Sequence, residues 1–78
     1  MSDTLSRYAA AEIRAELGRQ RLSGLALARR LGRSQSWMAR RMTCVVPMTL
    51  ADLADIAEAL DRPVSQFVDA ADSTPAAS

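Results

Sequence analysis

Apolar side chains return every three or four residues along most of the chain, and no stretch alternates apolar with polar at every second position. That spacing gathers apolar groups on one face of a helix, so the pattern predicts helices and no strands. Leu5, Ala9, Ile13 and Leu17, with Ala10 beside them, form the first stripe. Ser2, Asp3 or Thr4 can cap it, and it should end near Arg21, with Gly18 weakening its last turn.

Ser23 is a second cap, and Leu27, Ala28 and Leu31 follow it at i, i+1 and i+4, one buried face of a helix about two turns long. Gly32 stops that helix, because glycine tolerates the left-handed backbone by which a chain leaves a helix and turns. Ser34 then caps a third helix, with Met38 and Met42 one turn apart on its inner side. Two short helices joined by a tight glycine turn predict a helix-turn-helix.

Pro47, in the linker Thr43 to Met48, disfavours helix at Val46. Thr49 and Asp52 then predict a capping box with a shorter acid than usual, and Leu50, Leu53, Ile56, Ala57 and Leu60 give the cleanest stripe in the chain. Asp61 and Arg62 break it. Pro63 fits the first turn of a fifth helix, in which Val64, Phe67 and Val68 close the core. The segment from Asp69 to Ser78 is small and polar with Pro75, so it reads as a disordered tail or linker after a single domain of residues 1–68.

Size and composition narrow the function. A chain of 78 residues has room for one core, which leaves its surface to carry any activity. With one cysteine, Cys44, and no histidine, an internal disulfide and the usual zinc-ligand sets are ruled out. The same lack removes the commonest general acid or base, and the carboxylates are scattered, so neither an enzyme, nor a cofactor, nor a small-molecule ligand is expected. No apolar run approaches the roughly 18 residues of a membrane span, and no basic segment leads into an apolar one. A cytoplasmic protein without a membrane partner is the expectation.

Net charge is only +1, yet the signs are sorted along the chain. All ten basic residues are arginine, and seven of them (Arg19, Arg21, Arg29, Arg30, Arg33, Arg40, Arg41) fall in a run that contains no acid. From Met42 onward Arg62 stands alone against Asp52, Asp55, Glu58, Asp61, Asp69 and Asp72. Such sorting suits a module that turns one face to a polyanion, the ordinary alternative being solvated helix surfaces.

The run SGLALARRLGRSQSWMARR, followed after a loop by PMTLADLADIAEALDRPVSQF, resembles the phage-repressor-like (XRE-type) helix-turn-helix family over more than half of the chain. Ser23, Leu27, Ala28, Leu31, Gly32, Ser34, Met38, Pro47, Leu53, Leu60 and Phe67 fall at framework positions of that pattern. The resemblance implies an all-α, five-helix lambda-repressor-like bundle, with the helix-turn-helix in its second and third helices. It further implies a transcriptional regulator, of the phage or prophage repressor type, whose third helix, about Ser34 to Thr43, enters the major groove of double-stranded operator DNA. Regulators of this kind generally act as dimers, and the fifth helix with Val64, Phe67 and Val68 would be the homodimer surface. The chain departs from the pattern at Arg33, where an aliphatic residue is usual, at Cys44, where a glycine commonly ends the groove helix, and in a first connection about one residue short.

With Met38 and Met42 turned inward, steps of about 100° carry Ser36, Arg40 and Thr43 outward, with Gln35, Trp37, Ala39 and Arg41 on the flanks. Arg40 is the first candidate to read guanine and Gln35 to read adenine, since each side chain can make two parallel hydrogen bonds to its base edge. Ser36 and Trp37 complete the base-reading set, Trp37 against a sugar or a thymine methyl if it is not core. Ser23 and Gly24 offer amides at a helix N-terminus to a phosphate, although every helix needs a cap whatever it binds. Arg19, Arg21, Arg29, Arg30, Arg33, Arg41 and Thr43 are the remaining phosphate candidates.

Two other classes of function compete. An antitoxin-type module would dock a basic protein on an acidic fourth helix bearing Asp52, Asp55 and Glu58 while regulating its own promoter. A helical bundle with no nucleic-acid role would require the acid-free run from Arg19 to Arg41 to be accidental.

Overall fold

The computed structural model describes residues 2–72, with side chains from Ser6 to Val68. Among these residues the chain forms α1 (Ser2–Gln20), α2 (Gly24–Leu31), α3 (Gln35–Met42), α4 (Leu50–Ala59) and α5 (Ser65–Asp72), and no strand. None of the helices is long and apolar enough to cross a membrane.

The helix starts follow the serine and threonine caps. Ser23 Oγ accepts from the Ala26 amide and Ser34 Oγ from the Trp37 amide, both at 3.0 Å. Thr49 and Asp52 complete the reciprocal box, each side chain accepting from the other residue's amide. α1 is the exception: it already includes Ser2, Asp3 and Thr4, which lie within its first turn rather than ahead of it. Free amides in a first turn suit hydroxyl and acidic residues there as well as at the cap.

Four helices stop by one device. One residue just past each takes the left-handed conformation: Arg21 at φ 55° and Gly32 at 69° directly after α1 and α2, and Cys44 at 63° and Asp61 at 57° after the caps Thr43 and Leu60 of α3 and α4. The next amide reaches back five residues, from Leu22 to Leu17, Arg33 to Ala28, Val45 to Arg40 and Arg62 to Ala57, each bond 2.9 Å long. These are Schellman closures, which satisfy carbonyls the helix would otherwise leave open. Only one of the four is glycine.

α5 begins two residues later than expected. Pro63 and Val64 form the turn ahead of it, their carbonyls accepting from the amides of Gln66, Phe67 and Val68. At its other end the helix runs to Asp72, so the first four residues of the expected disordered tail are helical. No glycine or proline lies between Ser65 and Asp72, and alanine at positions 70 and 71 favours helix. Positions 73–78, including Pro75, lie outside the described residues, as does the side chain of Leu5.

The core draws on every helix: Ala9, Ala10, Ile13 and Leu17 from α1, Leu27 and Ala28 from α2, Met38 from α3, Leu53, Ile56 and Ala57 from α4, and Phe67 from α5. α5 packs chiefly on α1, and α2 bridges α3 and α4. Leu50 departs from its predicted stripe and is 67% exposed, because the first residue of α4 precedes the turn that meets the core. Ser6 departs the other way. It is buried, and its hydroxyl accepts from the Met48 amide at 3.1 Å, tying the linker before α4 to α1. The acidic α4 has no basic residue in its last turn, and other helices supply the donors: Gln20 Nε2 to the Leu60 carbonyl at 2.8 Å and Arg30 Nη1 to the Ala59 carbonyl at 3.1 Å.

Candidate nucleic-acid interface

α3 is fixed from below by Met38, which is 2% exposed, and at its end by the partly buried Met42. Its outward residues are then Gln35, Ser36, Ala39 and Arg40, followed by Thr43, all exposed and none of them acidic. Arg40 is in no ion pair among the described residues. Gln35, Ala39 and Thr43 border a cleft of about 460 Å³ whose opposite wall is Ser23, Gly24 and Leu25 at the start of α2. Four residues singled out from the sequence, Ser23, Gly24, Gln35 and Thr43, therefore meet around one surface. Of the first amides of α2, that of Ala26 is taken by Ser23 Oγ, and those of Gly24 and Leu25 lack partners within their own helix.

Other candidates are committed elsewhere. Arg19 faces away into a polar network, paired with Glu12 and Glu16, and Gln20 and Gln66 also donate to Glu16. Those hydrogen bonds, from Gln20 first and then Gln66, with Arg19 adding its own and its charge, hold the Glu16 carboxyl down at about 2. The Glu16 bond in turn raises Arg19 above its ordinary value. Arg19 is thus paired with carboxylates of its own helix, although its side chain stays 56% exposed.

Arg41 is likewise engaged, its Nε donating to Asp52 at 3.2 Å and its guanidinium standing 4.0 Å from the centroid of the Trp37 ring. Burial pushes the Asp52 carboxyl up, but the Thr49 amide and Arg41 outweigh it and leave it below the usual range. Arg33 also stands over the Trp37 ring, at 5.0 Å. Trp37 is half-buried against the core, unlike the exposed Gln35, Ser36, Ala39 and Arg40. Its stacked guanidiniums occupy the ring surface that a sugar or thymine methyl would use. Arg30 caps α4 and, with Arg33 and Trp37, lines a separate groove that also holds Asp55 and Glu58. Thr43 turns its hydroxyl back to the Ala39 carbonyl at 2.8 Å, so the hydrogen it would donate to a phosphate is already in use.

Arg21 and Arg29 remain exposed without an ion pair among the described residues. Of the acidic face suggested for a docked partner, Asp52 is turned to Arg41 and Thr49, while Asp55 and Glu58 stay exposed. The supposed homodimer surface is reduced as well: Phe67 is fully buried and Val68 partly so, which leaves Val64 as the exposed member of the three.

Sequence reasoning passed over Arg7 and Arg14 on α1, which the fold brings to the end of α3. Their spacing of seven residues, which returns to one side of a helix, was the available signal. Comparison with known proteins finds no match among family models, curated proteins or solved structures. Function must therefore be argued from these side chains.

Proposed function

We propose that the chain is a helix-turn-helix DNA-binding module of the five-helix, lambda-repressor-like kind, acting as a sequence-specific transcriptional regulator of repressor type. The observation that carries this reading is the outward face of α3, where Gln35, Ser36, Ala39 and Arg40 are exposed together without a carboxylate, above a buried Met38. A helix of about 10–12 Å diameter fits the roughly 12 Å major groove, so this face meets base edges directly. Arg40 donates both its parallel N–H groups to O6 and N7 of a guanine, and Gln35 pairs with an adenine at the start of the helix. Ala39, between them, is small enough to let the backbone of α3 approach the bases. The amides at the start of α2 hold a phosphate and set the angle at which α3 enters.

Selection of bound duplexes from a random library tests the proposal. The expected outcome is an enriched motif containing a guanine whose preference depends on Arg40. Two half-sites about 34–36 Å apart would report a dimer, which would rest on Val64 and the end of α5, and a single half-site a monomer. Recovery of no motif over the starting library would reject sequence-specific binding.

A further inference from the structure

Arg7 and Arg14 sit two helical turns apart on one side of α1. They line a depression of about 390 Å³ with Ala10, and with Met42, Thr43 and Cys44 from the end of α3. Among the described residues no carboxylate borders it and neither guanidinium is in an ion pair. Arg14 is held in place, its Nη2 donating to the Met42 carbonyl at 2.8 Å, and its other N–H groups have no partner among the described residues.

This depression adjoins the cleft beside α3, since Arg14, Met42 and Thr43 belong to the walls of both. Two guanidiniums without a carboxylate partner among the described residues, side by side in an open hollow, call for an anion, and a planar fork of N–H donors suits the paired oxygens of a phosphate. The hollow shares three lining residues with the cleft beside α3, so the anion that fits its position is a backbone phosphate of the same duplex rather than a separate small molecule. We infer that Arg7 and Arg14 form a phosphate clamp that grips the DNA strand passing the C-terminal end of α3. The clamp rests on the reading of α3 as the groove helix. It would make α1, which carries no base contact, a third element of the interface beside α2 and α3.

The test uses the full chain and a duplex recovered by selection, with Arg7→Gln, Arg14→Gln and the double variant. Arg7 makes no hydrogen bond among the described residues, so Arg7→Gln perturbs the fold least, and unchanged circular dichroism would verify that. Each substitution should make the slope of log binding constant against log salt shallower by about 0.9, equally on selected and scrambled duplexes. Arg7→Lys should restore the slope. Cys44 borders the same hollow and serves as a built-in reporter, losing its reactivity to iodoacetamide when duplex is bound.

A double variant with the full slope, together with Cys44 alkylated equally fast with and without duplex, overturns the clamp while leaving the role of α3 intact. Protection of Cys44 by inorganic phosphate but not by bound duplex also overturns it, in favour of a small-anion site. Failure of the unsubstituted chain to bind any duplex overturns both readings.

Discussion

Cys44 occupies left-handed backbone at φ 63°, next to Thr43, the C-cap of the helix that carries the proposed base-reading face. A side chain in that conformation costs roughly 1–2 kcal/mol, partly offset by the greater freedom glycine loses on folding. Cys44→Gly is therefore expected to stabilise the fold by about 1 kcal/mol, read as a rise in Tm of roughly 4–8 °C for a domain of this size. An unchanged or lower Tm would mean that the thiol's packing against the core outweighs the strain. Glycine marked one of these four positions, Gly32, and the departure from the resembled pattern marked a second, Cys44, whereas no residue type announces the conformation at Arg21 and Asp61. Arginines were ambiguous for a similar reason. Glu16 lies three residues before Arg19, so that pairing was readable in the sequence, whereas Asp52 reaches Arg41 only through the fold, eleven residues away.

Helices were more legible than single residues, because a cap and a stripe are local properties. Ser23, Ser34 and Thr49 each bond the amide three residues on, as their positions predict. What holds one helix to another was less visible. Glu12, Glu16, Arg19 and Gln20 on α1 join Arg62 and Gln66 in a polar network that secures α1 to α5 and to the segment leading into it. A hydrophobic stripe does not foretell such a network, since its members lie up to 54 residues apart.

The network has a pH signature. The Glu16 carboxyl sits at about 2, against an ordinary 4.5, so the folded chain binds its proton less readily than the unfolded chain. Its stabilising effect is complete above about pH 4.5 and is lost as pH falls from there toward 2. Asp52, also lowered, acts in the same direction. Urea midpoints measured across that range should fall with pH, and Glu16→Gln should flatten the dependence. An equally steep fall in the variant would assign the acid sensitivity to other carboxylates.

At the scale of the whole molecule, the charge sorting visible in the sequence persists, but the arginines that remain available have changed. Arg19 and Arg41 are in ion pairs and Arg30, like Arg14, donates to a helix-end carbonyl, while Arg7 and Arg14 join Arg21 and Arg29 on the exposed surface without an ion pair among the described residues. If these last four each neutralise one phosphate, the salt slope of binding should be about −3.6. A flat response would remove the electrostatic part of the interface and favour a protein partner for the acidic Asp55 and Glu58.

The central claim concerns α3, and the most direct measurement titrates the unsubstituted chain and Arg40→Ala against the selected duplex and its single-base-pair variants. Arg40 is expected to account for roughly 1–3 kcal/mol on the selected site, and its loss should relax preference at one guanine while leaving the other positions as they were. Equal weakening on every duplex would move Arg40 to the phosphate backbone and contradict the account of α3 as the reading helix.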